Sequence, residues 1–122
     1  MFDHVGLKVR DLEASVRFYR EALAPLGFRL CSQDDTTAGF GPEGAPALWL
    51  HAQSGPRAGA RGVHLAFRAE QRDAVDHFHK HGLEAGGRDH GTPGLRGSYG
   101  PRYYAAFLID PDGNNVEPVC LR

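Results

Sequence analysis

Three residues of this chain combine side chains that bind metals or carry protons with positions that recur along the sequence. They are His4 in HVGLKV (4–9), His64 in VHLAF (63–67) and Glu117 in NNVEPV (114–119). Two neutral imidazoles and one carboxylate suit a borderline divalent cation and leave coordination positions open for substrate and water. Glu117 poses the sharpest question. Strand alternation puts Val116 on one face and Glu117 on the other, and an inward carboxylate is costly unless it is paired or metal-bound. A closed structural zinc site would want four protein ligands, usually with Cys. Cys31 and Cys120, the two cysteines, have no zinc-motif spacing and read as buried free thiols.

Other residues are candidates for work around such a centre. Trp49 and His51 share one face of LWLHA (48–52), where Trp49 would wall a ligand and His51 would move a proton. The segment HGTPGLRGSYGPRYY (90–104) carries Arg96, Tyr99, Arg102 and Tyr103. Its arginines suit a substrate carboxylate or phosphate, and its tyrosines can donate to substrate oxygens, Tyr103 with a catalytic role. The run His77-Phe78-His79-Lys80-His81 reads instead as an exposed helix end, where cations complement the helix dipole.

The elements that must position these residues follow from periodicity. HVGLKV alternates, with Val5, Leu7 and Val9 on one face. Asp11 reads as an N-cap, and Leu12, Val16, Tyr19 and Leu23 follow at helical spacing to about Ala24, before Pro25 and Gly27. Strand candidates lie at 28–33, 36–41 and 46–52. After the Gly/Pro-rich connector 53–62 the pattern restarts: a strand at 63–67, a helix through about 70–81 stopping at Gly82, a short strand near LEAGG, a long loop from about Asp89 to Arg102, a strand at 103–109, and the last strand bearing Glu117. Asp110-Pro111-Asp112-Gly113 reads as the turn before it. The order is βαβββ twice, modules 1–52 and 63–122 within a single domain 1–122. This is an α+β fold in which the paired modules make a curved, barrel-like mixed sheet with helices outside. Its concave face would gather His4, His64 and Glu117.

Bulk properties narrow the function. The net charge of −1 over 122 residues gives no electrostatic footprint for nucleic acid or an anionic membrane. No apolar run approaches the roughly 18–20 residues that span a bilayer. The first residues lack the basic and apolar regions of a signal peptide, so a cytoplasmic location is expected, as is a homodimer, the commonest oligomer.

DHVGLKVRDLEASVRFYREAL, GVHLAF and above all YYAAFLIDPDGNNVEPV resemble the vicinal oxygen chelate superfamily, which includes glyoxalase I, bleomycin-resistance proteins, fosfomycin-resistance enzymes and extradiol dioxygenases. The resemblance implies a divalent metal (Fe, Mn, Zn or Ni) held by His4, His64 and Glu117. It also implies a lyase, isomerase or dioxygenase acting on a small molecule that chelates the metal through adjacent oxygens. The alternative is a bleomycin-resistance-like protein that sequesters a small molecule without catalysis. The chain departs from glyoxalase-type members in having Trp49 where they place a glutamate, and from extradiol dioxygenases in having Phe107 where they commonly place a tyrosine.

Overall fold

The computed structural model describes residues 1–122. The first unit contains β1 (Val5–Val9), α1 (Leu12–Leu23), a 3-10 turn (Ala24–Leu26), β2 (Arg29–Gln33), β3 (Thr37–Gly41) and β4 (Leu48–Ala52). The second contains β5 (His64–Arg68), α2 (Arg72–Glu84), β6 (Arg88–Leu95), β7 (Tyr104–Ile109) and β8 (Asn115–Cys120). Each unit forms its own four-stranded sheet, ordered β1-β4-β3-β2 and β5-β8-β7-β6. The outer pairs β1/β4 and β5/β8 are parallel and the remaining neighbours antiparallel. The doubled βαβββ course is as the sequence predicts. The two sheets do not close into one barrel.

Local chemistry explains the helices. Asp11 is extended and its side chain accepts from the Ala14 N–H at 3.1 Å, satisfying one of the orphan donors of α1. Gly27 ends the first turn-and-helix at φ 88°, a left-handed conformation that glycine tolerates. Gly82, by contrast, does not stop α2. It lies inside the helix because a Cβ there would meet Leu108 Cδ1 at 2.3 Å and Phe18 Cε1 at 3.3 Å, so the glycine lets the helix approach its neighbours closely. The residues of LEAGG are the end of α2 and the turn after it, not a strand.

Helices α1 and α2 pack on each other, and one core spans both units. Val16, Phe18, Tyr19 and Leu23 of α1 join Phe40 and Leu50 of the first sheet, Phe78 of α2, and Leu108 and Val116 of the second sheet. Each such fully buried large side chain stabilises the fold by roughly 1.5–3 kcal/mol. The sheets therefore turn their helix-covered faces toward a shared centre and leave their other faces bare.

The turn Asp110–Asn114 fastens the units together. Tyr19 Oη donates to Asp110 Oδ2 at 2.5 Å, and Asp110 Oδ1 accepts from the backbone N–H groups of Asp112 and Asn114, both at 2.9 Å. Asn114 Oδ1 accepts from Val63 N, and Asp112 Oδ1 accepts from Arg10 N and Nε. The buried carboxylates Asp110 and Asp112 thus have the partners that a dry interior demands. The most distinctive motif of the sequence is a structural fastener.

Three further expectations are corrected. Residues 88–95 form edge strand β6, not the start of a long loop. Gly91, Pro93 and Gly94 read as a loop in sequence, yet they fit an edge strand whose pairing with β7 shifts register twice. His79 is buried rather than exposed, with Nε2 2.8 Å from Asp89 Oδ1 of β6. Cys31 is only half-buried, while Cys120 is buried as expected, and both thiols are free.

Candidate functional site

The side-chain period of two decides what faces the bare side of each sheet. In the first sheet Leu7, Val9, Ala38, Phe40, Leu48 and Leu50 are buried on the helix side. Gly6 pairs with Trp49 and Lys8 with His51 across β1/β4, and these four positions have the opposite phase. The Trp49 ring lies across Gly39, where a Cβ would come within 2.8 Å of it. His51 Nε2 sits 3.4 Å from the Cβ position of Gly6.

In the second sheet the same parity brings His64, Phe107, Asn115 and Glu117 to the bare face, along with Tyr103 just before β7. The next residue, Tyr104, has the other phase and donates to Asp76 Oδ1 of α2 at 2.6 Å. Glu117 is the centre of this face. It is only 3% exposed, yet both its oxygens have protein partners. His64 Nε2 meets Oε1 at 2.9 Å, and Tyr103 Oη donates to Oε2 at 2.5 Å. Burial and this bond to Glu117 push the Tyr103 phenol up to about 12. Tyr103 is therefore protonated at neutral pH, suited to donating a hydrogen bond and unsuited to accepting a proton as a base.

Around the carboxylate is an open recess of about 600 Å³ lined by His64, Ser98, Tyr99, Tyr103, Phe107, Asn115 and Glu117. Tyr99 packs edge-on against Tyr103 with ring centroids 5.2 Å apart, and His64 stacks with Phe107 at 6.3 Å. Asn115 Oδ1 is buried with no hydrogen-bond partner.

The structure thus gathers His64, Glu117, Tyr103 and Tyr99 and leaves the other sequence candidates elsewhere. His4 precedes β1, is exposed, and bonds the adjacent Asp3 at 2.6 Å through Nδ1. Trp49 and His51 belong to the other sheet's bare face. Arg96 stacks its guanidinium 5.4 Å above the Phe107 ring and donates to the Thr92 carbonyl at 2.6 Å, which pins the turn after β6. Arg102 is exposed in that turn and does not line the recess. Ser98 and Asn115 were not singled out by the sequence. Asn115 stands two residues before Glu117 on one strand, a spacing that signals a shared face, whereas Ser98 in its turn gives no signal.

A divalent ion with open coordination positions wants about three protein ligands. No group of three or more His, Cys, Asp or Glu side chains comes together to hold one. His64 and Glu117 supply two donors, and the carboxylate's second oxygen already accepts from Tyr103. The residues of one chain on their own do not fit the ion.

Known proteins place this architecture. A crystal structure of a glyoxalase/bleomycin resistance protein from Albidiferax ferrireducens T118 aligns with TM-score 0.84 at 29% identity, covering 98% of each chain. A family enzyme from Burkholderia phytofirmans PsJN aligns with TM-score 0.73 at 19% identity, again over 98% of each chain. A glyoxalase-related enzyme from Fulvimarina pelagi aligns with TM-score 0.70 at 20% identity, over 95% of this chain and 84% of the other. No curated protein sequence matches. The family model of the Glyoxalase/Bleomycin resistance protein/Dioxygenase superfamily matches residues 1–117. With that match running through both βαβββ units, the chain belongs to the glyoxalase/bleomycin resistance protein/dioxygenase superfamily.

Proposed function

We propose that this protein binds a small planar molecule bearing adjacent oxygens, in the manner of the superfamily members that sequester a ligand. The ligand's ring would lie against Tyr99 and Phe107, and its oxygens would meet His64, Tyr103 and Glu117. The observation that carries this reading is Glu117 itself, a buried carboxylate held by two donors at the floor of an open aromatic recess. A carboxylate and neighbouring hydroxyls sharing one concave site can accept from and donate to the same ligand. Calorimetric titration with catechol, a small ring with two adjacent hydroxyls, tests it. Binding to the wild-type chain should weaken at least tenfold in Glu117→Gln and in Tyr103→Phe. Equal affinity in all three proteins would place the ligand elsewhere.

The second reading is the metal-dependent lyase, isomerase or dioxygenase expected from the resemblance. What favours it is the direct pairing of His64 with Glu117, together with His51 on a second bare sheet face that no helix covers. It requires a third donor, His4 or His51, from the partner chain of a homodimer. Elemental analysis of untagged protein, combined with sedimentation, tests it. A sub-stoichiometric metal content in a dimer would remove this reading and leave the first.

A further inference from the structure

The run His77-Phe78-His79-Lys80-His81 holds more than charge at a helix end. Of its three histidines, His79 is buried, with Nε2 2.8 Å from Asp89 Oδ1. His77 and His81 stand four residues apart on α2, a spacing that makes side chains neighbours on one helix face. Their rings lie near-parallel, 20° between planes, with centroids 5.9 Å apart. His77 is exposed and His81 half-buried. Hydrogen bonds engage His4, His64 and His79 with the carboxylates of Asp3, Glu117 and Asp89, whereas neither His77 nor His81 has such a partner in the chain.

Two unengaged imidazoles one turn apart can chelate a single ion. An ion about 2.0–2.1 Å from one nitrogen of each ring brings the ring centres to roughly 4.5–5.5 Å. The present separation is slightly wider, and rotation of two surface side chains closes it and turns the nitrogens inward. Once one imidazole holds the ion, the second acts at high effective concentration, so the pair binds more tightly than either ring alone. The Glu117 recess differs, because its two donors already bond each other and a resident cofactor needs a third. At α2 both rings are free, and water fills the other positions of an exchangeable ion. Along the same stripe Asp73 lies four residues before His77 and Glu84 three after His81, so a carboxylate flanks the pair at each end and attracts cations.

We propose that His77 and His81 form a transition-metal site on the outer surface of α2, binding one exchangeable Ni²⁺, Zn²⁺ or Cu²⁺ ion per chain. Nitrogen donors select these borderline ions over the hard cations Mg²⁺ and Ca²⁺, which want oxygen. The ion clamps one turn of α2, on either side of the His79 that ties this helix to β6. An unfolded chain does not hold two imidazoles at this spacing, so the ion favours the folded state. The site lies on the helix side of the second sheet, away from the recess on the bare face, and it stands whether or not that recess takes a ligand.

The test is calorimetric titration of the untagged full chain with Ni²⁺, repeated with Co²⁺ and Mg²⁺. Ni²⁺ should bind more tightly than Co²⁺, and Mg²⁺ should not compete. His77→Ala, at an exposed position, should weaken Ni²⁺ binding at least tenfold, and His81→Gln should do the same. The thermal midpoint of the wild-type chain should rise with Ni²⁺, and that of His77→Ala should rise much less. The double variant Asp73→His with His81→Ala moves the four-residue pair one turn toward the start of α2 and should restore affinity to within about fivefold. His64→Ala should leave this site as it is, and a second ion lost in that variant belongs to the recess and leaves the inference standing. If the wild-type chain takes up no Ni²⁺, or if only His64→Ala loses it, the pair is no metal site and the inference falls. If the shifted pair binds as weakly as His77→Ala, the loss came from something other than chelation, and the inference is likewise overturned.

Discussion

Tyr103 and Glu117 share a hydrogen bond of 2.5 Å on the bare face of the second sheet, and that bond helps to keep the phenol protonated. Burial and the adjacent carboxylate hold the phenol protonated up to about 12. In return the phenol and His64 give both oxygens of an almost completely buried carboxylate a hydrogen-bond partner. A raised folded-state value means that the folded chain keeps a proton that the unfolded chain releases near 10. The contribution of this pair to stability is therefore complete below about pH 10 and is lost as pH rises toward 12. Ultraviolet titration of phenolate should show a transition near 12 that is missing from Tyr103→Phe. A full-height transition in that variant would assign it to another tyrosine.

The fastener at the Asp110 turn should matter to stability and not to ligand binding. Tyr19 is fully buried, and its hydroxyl is pushed well above the ordinary value by burial first and by Asp110 second. Tyr19→Phe leaves Asp110 Oδ2 with only Asn114 Nδ2, at 3.2 Å, as a donor. Losing a buried bond to a charged group should cost roughly 1–3 kcal/mol in urea unfolding. Catechol affinity at the distant recess should stay within about twofold. A neutral effect on the urea midpoint would mean that the turn carries no such load.

How much of this was legible in the sequence depends on which force set each feature. The doubled βαβββ order could be read because strand parity and helix spacing are local patterns, and Asp11 capped its helix where the residue type said it would. The pairing of the units could not. It depends on Gly82 letting α2 approach Leu108 and Phe18, a contact between residues far apart in sequence, and the outcome is two sheets with separate bare faces instead of one barrel. Parity correctly sent His64 and Glu117 to one face. It was silent on whether the first sheet's face would meet theirs. His79 was misread from its residue type, although it stands four residues after Val75 and so belongs to the buried stripe of α2.

The sole tryptophan gives a direct probe of the first sheet's bare face. The Trp49 ring lies across Gly39, and a Cβ there would come within 2.8 Å of two ring atoms. Gly39→Ala must push the indole off the sheet, with an overpacking cost of about 1–3 kcal/mol. Tryptophan emission should shift to longer wavelength as the ring gains solvent. An unchanged spectrum would show that the ring has room to slide within the face.

The last prediction concerns acid. Asp89 holds His79 of α2 to β6, and its carboxyl is kept below the usual 3.8, chiefly by the hydrogen bond from His79 and next by the Gly91 N–H. A depressed carboxylate contributes stability that is complete above its unfolded value near 4 and is lost as pH falls through the lower folded value. The urea midpoint of the wild-type chain should therefore drop between pH 5 and pH 3, by more than that of Asp89→Asn, which lacks the titrating group. At pH 7 the order should be clear in the other direction, with Asp89→Asn the weaker protein, because His79 stays buried with a poorer acceptor. His79→Phe separates packing from the hydrogen bond: it keeps a ring in the α2 stripe and should lose the same part of the acid dependence. If all three proteins show one common acid profile, the tie between α2 and β6 is made by carbon contacts alone, and Asp89 is a surface residue whose bond to His79 does not matter.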